Sequence, residues 1–273
     1  MQENTQVLLN SQHAMPRLGL GVYKATGDGE VENAISTAIQ AGYRLIDTAP
    51  VYKNEEGVKR GIQNAPIARE ELFITSKVWN TAQRMGDIKG AFERSLERMG
   101  LDYIDLYLIH WPVPGCSSNT WRELEKIHES GLAKSIGVSN FSVRDLELLS
   151  QVSSITPAVN QIEYHPLFVQ DDILNYCQER NIHVQAYAPL ARGAYLNREP
   201  LLLLAQKYNR TPSQIGLRWS LQKGLSVIPK ASNPDHILSN SQIFDFNLTD
   251  SEIILLNEMD EHFRSASIPE DLL

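Results

Sequence analysis

Cysteine is scarce in this chain of 273 residues. There are two, Cys116 and Cys177, with no CxxC spacing. A disulfide framework is therefore not what holds the protein together, and free thiols in a reducing, cytoplasmic setting are the simple reading. No block of lysine and arginine occurs either, and the formal net charge is −8. That balance argues against nucleic acid and against an anionic membrane surface as partners. No apolar run approaches the roughly 20 residues of a membrane span. The opening MQENTQVLLN lacks the basic region and apolar stretch of a secretory signal. No proline-, glycine- or serine-rich linker interrupts the chain, so residues 1–273 read as one domain.

Three chemical motifs are missing as well. The seven histidines are scattered without metal-ligand spacing, and H-E-x-x-H does not occur, so no metal site is expected. There is no G-x-S-x-G nucleophile turn. The one glycine pair that resembles a dinucleotide turn, Gly19 and Gly21 in LGLGVYK, has Lys24 where the third glycine belongs. It reads as close packing at a strand end.

What is present is a repeat of strand, loop and helix. The composition, 42% hydrophobic and 21% charged, is that of a globular protein, and the length allows a substantial core. Eight β-branched apolar runs stand out: RLGLGVY from Arg17, RLIDT from Arg44, LFITSKV from Leu72, IDLYLIH from Ile104, AKSIGVS from Ala133, AVNQIEY from Ala158, HVQAYA from His183 and LSVIPK from Leu225. Helical stretches separate them. VENAISTAIQAG places Val31, Ala34, Ile35, Ala38 and Ile39 on one face and stops at Gly42. IKGAFERSLERMG stops likewise at Gly100. Capping boxes start three more, at Ser142 with Asp145, Thr211 with Gln214 and Thr249 with Glu252. Alternation of this kind makes a parallel sheet with right-handed crossovers. Eight units in about 250 residues is the arithmetic of an α/β (β/α)8 TIM barrel, here with two extra helices. An open doubly wound sheet is the alternative. VLLNSQHAMP reads as an N-terminal β-hairpin capping the barrel bottom, and the tail after Asp260 as a segment draped over a surface.

Polar residues gather at the C-terminal ends of these strands. Asp47 ends the second, Lys77 the third and His110 the fourth. Ser139 and Asn140 end the fifth, Gln161 and Glu163 lie late in the sixth, Tyr187 ends the seventh and Lys230 the eighth. In a barrel all these ends share the face that carries the active site. Each has a plainer structural reading: Asp47 as a cap, Lys77 snorkelling to solvent, His110 beside a proline turn, Tyr52 covering the barrel mouth. Their coincidence on one face favours a site, because a buried Asp or Lys is costly unless paired. Asp47 and Lys77, on adjacent strands, suit an ion pair. A lysine beside Tyr52 is expected to lower the phenol from its ordinary value of about 10, making Tyr52 a general acid with His110 orienting the reacting oxygen. Such an acid suits protonation of a carbonyl oxygen while a nicotinamide or flavin delivers hydride to the carbon. Lys230, followed by a turn and a helix N-terminus, suits a phosphate; Tyr187 suits ring stacking, and Asn140 and Gln161 an amide.

The segments GYRLIDTAPVYKNE, TSKVWN, LIHWP, GVSNF, VNQIEYHP, AYAPL and IPKAS resemble, in order, the motifs of the aldo-keto reductase family, and the likeness runs from about Val7 to Asp260. The short loop after HWP and the short tail are similar to the microbial branch of 2,5-diketo-D-gluconic acid reductases and prostaglandin F synthases. The resemblance implies a catalytic tetrad of Asp47, Tyr52, Lys77 and His110. It implies NADPH held by Gly21, Val22, Asp47, Ser139, Asn140, Gln161, Tyr187, Ala188, Leu190, Lys230, Ser232, His236 and Asn240. A small carbonyl substrate would meet Tyr23, Trp79, His110 and Trp111. The family pattern near IPKSxxxxRIxEN is broken here by Ala231, His236 and Ser239, which loses an arginine that would grip a 2′-phosphate. NADPH is expected first, with NADH plausible. No heptad or apolar stripe points to an oligomer, and members of the family are mostly monomers. The contrasting reading is a non-catalytic nucleotide-binding relative, against which the complete tetrad speaks.

Overall fold

Eight parallel strands close into a barrel in the computed structural model, which describes residues 5–25, 27 and 29–273. Ahead of it stands an antiparallel hairpin of β1 (Gln6–Leu8) and β2 (Ala14–Pro16). The barrel strands are β3 (Gly19–Gly21), β4 (Leu45–Asp47), β5 (Phe73–Val78), β6 (Ile104–Ile109), β7 (Ala133–Ser139), β8 (Val159–Glu163), β9 (His183–Tyr187) and β10 (Ser226–Ile228). They pair in chain order from β3 to β10. Parallel bridges Leu18–Val227 and Gly21–Lys230 join the two ends. The first and last strands are shorter than their apolar runs, because at this seam the pairing is carried by isolated bridges rather than a continuous ladder. Gly19 and Gly21 lie there. A Cβ on Gly21 would stand 3.0 Å from the Ile228 carbonyl oxygen, so close backbone approach, not a nucleotide turn, is the reason for that glycine.

The helices are α1 (Glu30–Gln40), α2 (Glu55–Gln63), α3 (Asn80–Met85), α4 (Ile88–Met99), α5 (Ser117–Glu129), α6 (Val143–Ser150), α7 (Asp171–Glu179), α8 (Glu199–Tyr208), α9 (Pro212–Gln222), α10 (Pro234–Ser241) and α11 (Asp250–Asn257). The two helices expected beyond eight correspond to α8 and α11, and the six-residue α3 is a third. The five apolar positions read for α1 are its five buried residues. All three capping boxes form, and Gly100 closes α4 in the left-handed region at φ 62°.

Two apolar layers hold the assembly. Outside the barrel, helix faces pack on outward strand residues such as Ile46, Ile74, Tyr107 and Ile136. Inside, Leu45, Leu106, Leu108, Val159 and Ile228 fill the lower barrel, and Leu9 and Met15 of the hairpin plug it from below. Burial of each such side chain contributes about 1.5–3 kcal/mol. With the floor sealed by apolar side chains, the upper end is where polar chemistry resides.

Candidate active site

The barrel's upper end opens into a cavity of about 420 Å³. Its residues arrive from successive strand ends. Asp47 is the last residue of β4, and a 3-10 turn, Pro50–Tyr52, brings Tyr52 back over the mouth. That turn is braced: Asn54 accepts a hydrogen bond from the Thr48 hydroxyl at 3.1 Å and donates to the carbonyls of Val22 and Ala25 at 2.9 and 3.2 Å. The loop after β4 is thereby stapled to the loop after β3.

Lys77 of β5 is fully buried between these elements. Its ammonium donates to Asp47 Oδ1 at 2.6 Å, to the Thr48 carbonyl at 3.1 Å and to the Tyr52 hydroxyl at 3.4 Å. The other Asp47 oxygen accepts from Gln161 Nε2 at 2.7 Å, and that same amide donates to Gln185 Oε1 at 2.7 Å. Asp47 is therefore a buried carboxylate held from both sides, which meets the condition for burying charge. His110 follows β6. Its ring lies edge-on to Trp79 at 5.0 Å and to Tyr52 at 5.9 Å between centroids. Its Nδ1 is buried and has no hydrogen-bond partner among the described residues. Tyr23 packs on Tyr52 at 4.9 Å.

The electrostatics correct one expectation. Tyr52 was expected to be lowered by Lys77, yet it is pushed well above the ordinary phenol value, first by burial and then by the negative charge of Asp47. Lys77 lies closer to Asp47 than to Tyr52, so its charge is largely matched by the carboxylate. Lys77 itself is lowered by burial, against the pull of Asp47. His110 is pushed well below its ordinary value by burial and by Lys77. The resting arrangement is thus a protonated phenol beside a neutral imidazole, with an ammonium 3.4 Å from the oxygen that would become negative on proton loss. A phenol so placed can donate a proton to a bound oxygen.

The opposite wall suits a flat ring carrying an amide. Ser139 ends β7, Asn140 follows it, and Gln161 lies in β8. Ser139 donates to the Gln161 carbonyl at 2.8 Å, and Asn140 donates to the His110 carbonyl and to Ser139 Oγ, both at 3.0 Å. Tyr187 donates to Asn140 Oδ1 at 2.7 Å, which fixes its ring as a wall. Asn140, Ala188, Ala191 and Arg192 all have positive φ, between 45° and 63°. Such backbone costs about 1–3 kcal/mol per residue and persists here in the segments that line the cavity.

Of the residues read from the sequence, Gly21, Tyr23, Asp47, Tyr52, Trp79, His110 and Trp111 line this cavity. So do Ser139, Asn140, Gln161, Tyr187, Ala188, Leu190 and Lys230. Lys77 stands behind the wall. Val22 is buried in the outer core. Ser232, His236 and Asn240 lie beyond the cavity, near or in α10; His236 is exposed and Asn240 buried. Residues not anticipated also line it, chiefly Arg192, Ala266 and Ser267.

Ala266 and Ser267 belong to the tail, which does more than drape over a surface. Glu163, fully buried at the end of β8, accepts hydrogen bonds from the Ser265 amide and hydroxyl, both at 2.6 Å, and from the Ala266 amide at 3.2 Å. His165 Nε2 lies 3.0 Å from the same oxygen. Burial opposes the charge on Glu163, but the bonds from His165 and Ser265 outweigh it and hold the carboxyl below its ordinary value. Farther on, Asp271 is gripped by Arg84 and by Asn80, at 3.3 Å for the latter. The tail is thus fastened on both sides of the mouth. Glu163 shares a strand face with Gln161, two residues earlier, which was the one sign in the sequence that it points inward. Glu163→Ala is expected to speed amide exchange at Ser265 and Ala266 by about 10- to 100-fold, since two or three bonds of roughly 1 kcal/mol each are lost. Unchanged protection in hydrogen-exchange mass spectrometry would show that the tail is held otherwise.

The sequence and the barrel are similar to those of known enzymes. The Aldo/keto reductase family pattern matches residues 17–261. A glyoxal reductase of Bacillus subtilis (strain 168) is 45% identical over 267 residues, covering 98% of this chain and 97% of the relative. A methylglyoxal reductase DkgA of Escherichia coli (strain K12) is 41% identical, covering 99% and 98%. Among solved structures, an aldo-keto reductase from a Medee basin deep-sea metagenome library superposes with a TM-score of 0.92 at 39% identity, covering 94% of this chain and 96% of that one. A Bombyx mori aldo-keto reductase in complex with NADP gives 0.90 at 37% identity, covering 96% and 95%. The chain belongs to the aldo/keto reductase family. It is an oxidoreductase acting on carbonyl groups.

Proposed function

We propose that the protein reduces small aldehydes, 2-oxoaldehydes, ketones or keto-sugars to alcohols, using NADPH and accepting NADH, with Tyr52 as proton donor. Barrel, hairpin and tail act as one domain, since the hairpin plugs the floor and Glu163 pins the tail. The observation that carries the reading is the Tyr52 hydroxyl at the cavity wall, 3.4 Å from the buried Lys77 ammonium and beside the His110 ring. The coenzyme, when bound, supplies hydride to the carbonyl carbon. The donor set suits it: a polar row of Ser139, Asn140 and Gln161 for a carboxamide, the Tyr187 ring for stacking, and Lys230 at the far end for phosphate.

The side chains do the rest. Tyr52 gives its proton to the carbonyl oxygen as that oxygen gains charge, and Lys77 stabilises the phenolate that remains. Asp47 keeps Lys77 protonated in a buried setting. His110, neutral, orients the oxygen toward Tyr52. Water reprotonates Tyr52 after the alcohol leaves. Tyr23, Trp79 and Trp111 give the substrate a largely aromatic surround. The similarity to proteins named glyoxal and methylglyoxal reductases supports compact dicarbonyls among them.

The test is loss of the reduced-nicotinamide absorbance with a panel of aldehydes, 2-oxoaldehydes, keto-acids and keto-sugars, each with both coenzymes. Turnover of several small aldehydes is expected. No turnover of any member with either coenzyme would defeat the proposal.

A further inference from the structure

The barrel closes where β3 meets β10, so the loops that follow these strands lie side by side. From the first comes Glu30, the opening residue of α1. From the second come Lys230, at the rim of the cavity, and Ser232. Glu30 Oε1 accepts a hydrogen bond from Lys230 Nζ at 3.1 Å and another from the Ser232 hydroxyl, while Oε2 accepts from the Gly27 amide at 2.9 Å. The carboxylate therefore sits on the two side chains that a phosphate at this end of the cavity would use.

Building on the reading that a nicotinamide nucleotide lies along the cavity with its adenosine half toward Lys230, we propose that Glu30 sets coenzyme choice. It occupies the position of a 2′-phosphate on Lys230 and Ser232, accepts a bond from a ribose 2′-hydroxyl, and brings NADH and NADPH to near parity.

Three observations carry this. Lys230 already has its charge matched by Glu30. A 2′-phosphate, with close to two negative charges near neutral pH, must displace the carboxylate or lie against it, and like charges at contact distance repel. Second, Glu30 stays ionised: the bonds from Ser232 and Gly27 hold it at about 2. At neutral pH an incoming phosphate therefore meets a carboxylate. Third, Ala231 beside Lys230 has no polar side chain, and His236 is exposed on α10. A hydroxyl, by contrast, donates to a carboxylate, which is how an acidic side chain selects an unphosphorylated ribose elsewhere.

Titration calorimetry with two fragments, adenosine 2′,5′-bisphosphate and ADP, tests the idea without turnover. The parent protein is expected to bind the two within about threefold of each other. Glu30→Gln should tighten the bisphosphate by about tenfold or more, because a like charge has been removed, and leave ADP unchanged or weaker. Glu30→Ala should do the same, which separates loss of charge from any effect of the new amide. Circular dichroism of both variants checks that α1 is intact. A parent preference for the bisphosphate of about a hundredfold, or equal shifts for both fragments in the variants, would overturn the role of Glu30 while leaving the nucleotide site in place. Failure of both fragments, and of NADH and NADPH, to bind the parent protein would overturn the nucleotide reading together with it.

Discussion

Tyr52→Phe is expected to reduce carbonyl turnover by about 10²–10⁴-fold, the usual contribution of a positioned general acid, while the coenzyme binds as before. The substitution removes one oxygen. The ring remains against Tyr23 and His110, and no described hydrogen bond of the cavity floor depends on the hydroxyl except that from Lys77. Fluorescence titration with the reduced coenzyme and kcat with a small aldehyde separate the two effects. The parent enzyme's pH profile follows from the same geometry. Tyr52 lies above its ordinary value, so the proton donor is present across the neutral range, and reduction declines only as pH rises through that raised value. Oxidation of the alcohol needs the phenolate and should rise over the same interval. His110 is depressed, so no loss of rate is expected near its ordinary value of about 6.5. A variant that reduces aldehydes at the parent rate would remove Tyr52 from the mechanism. A reduction limb near neutral pH would contradict the environment of both residues.

How much of this was readable beforehand depends on the range of the interactions involved. The strands were legible because short β-branched runs alternate with amphipathic helices, and capping boxes at Ser142, Thr211 and Thr249 are local. The floor of the site was legible because a parallel barrel delivers every strand end to one face, so Asp47, Lys77 and His110 had to meet. What was not legible rests on tertiary detail. The direction of the Tyr52 shift is set first by burial and then by the charge of Asp47, with Lys77 2.6 Å from Asp47 but 3.4 Å from Tyr52, details no sequence pattern encodes. The fastening of the tail by Glu163 pairs residues about a hundred positions apart, and a polar tail without periodicity gives no sign of where it docks. Glu30 was hidden differently: as an acidic residue in the first turn of α1 it has an ordinary helix-dipole explanation, and its contact with Lys230 exists only because the barrel closes.

Lys77→Met should lose both stability and activity, and a second substitution separates the two. Lys77 is fully buried, and its removal leaves the Asp47 carboxylate without its cation, in contact with the Gln161 amide. Breaking one side of a buried pair costs about 3–5 kcal/mol, which urea denaturation would register as a lower midpoint with little change in slope. Turnover should fall by about 10² or more, since nothing then stabilises the Tyr52 phenolate as the proton leaves. Asp47→Asn together with Lys77→Met replaces the pair by neutral groups of similar size, an exchange that is often close to neutral for stability. The double variant is therefore expected to recover much of the lost stability and none of the lost activity. That outcome would show that the lost turnover is not a consequence of lost stability. Recovery of turnover along with stability would mean instead that Lys77 only props the barrel wall, and that Tyr52 gives up its proton without help from a neighbouring charge.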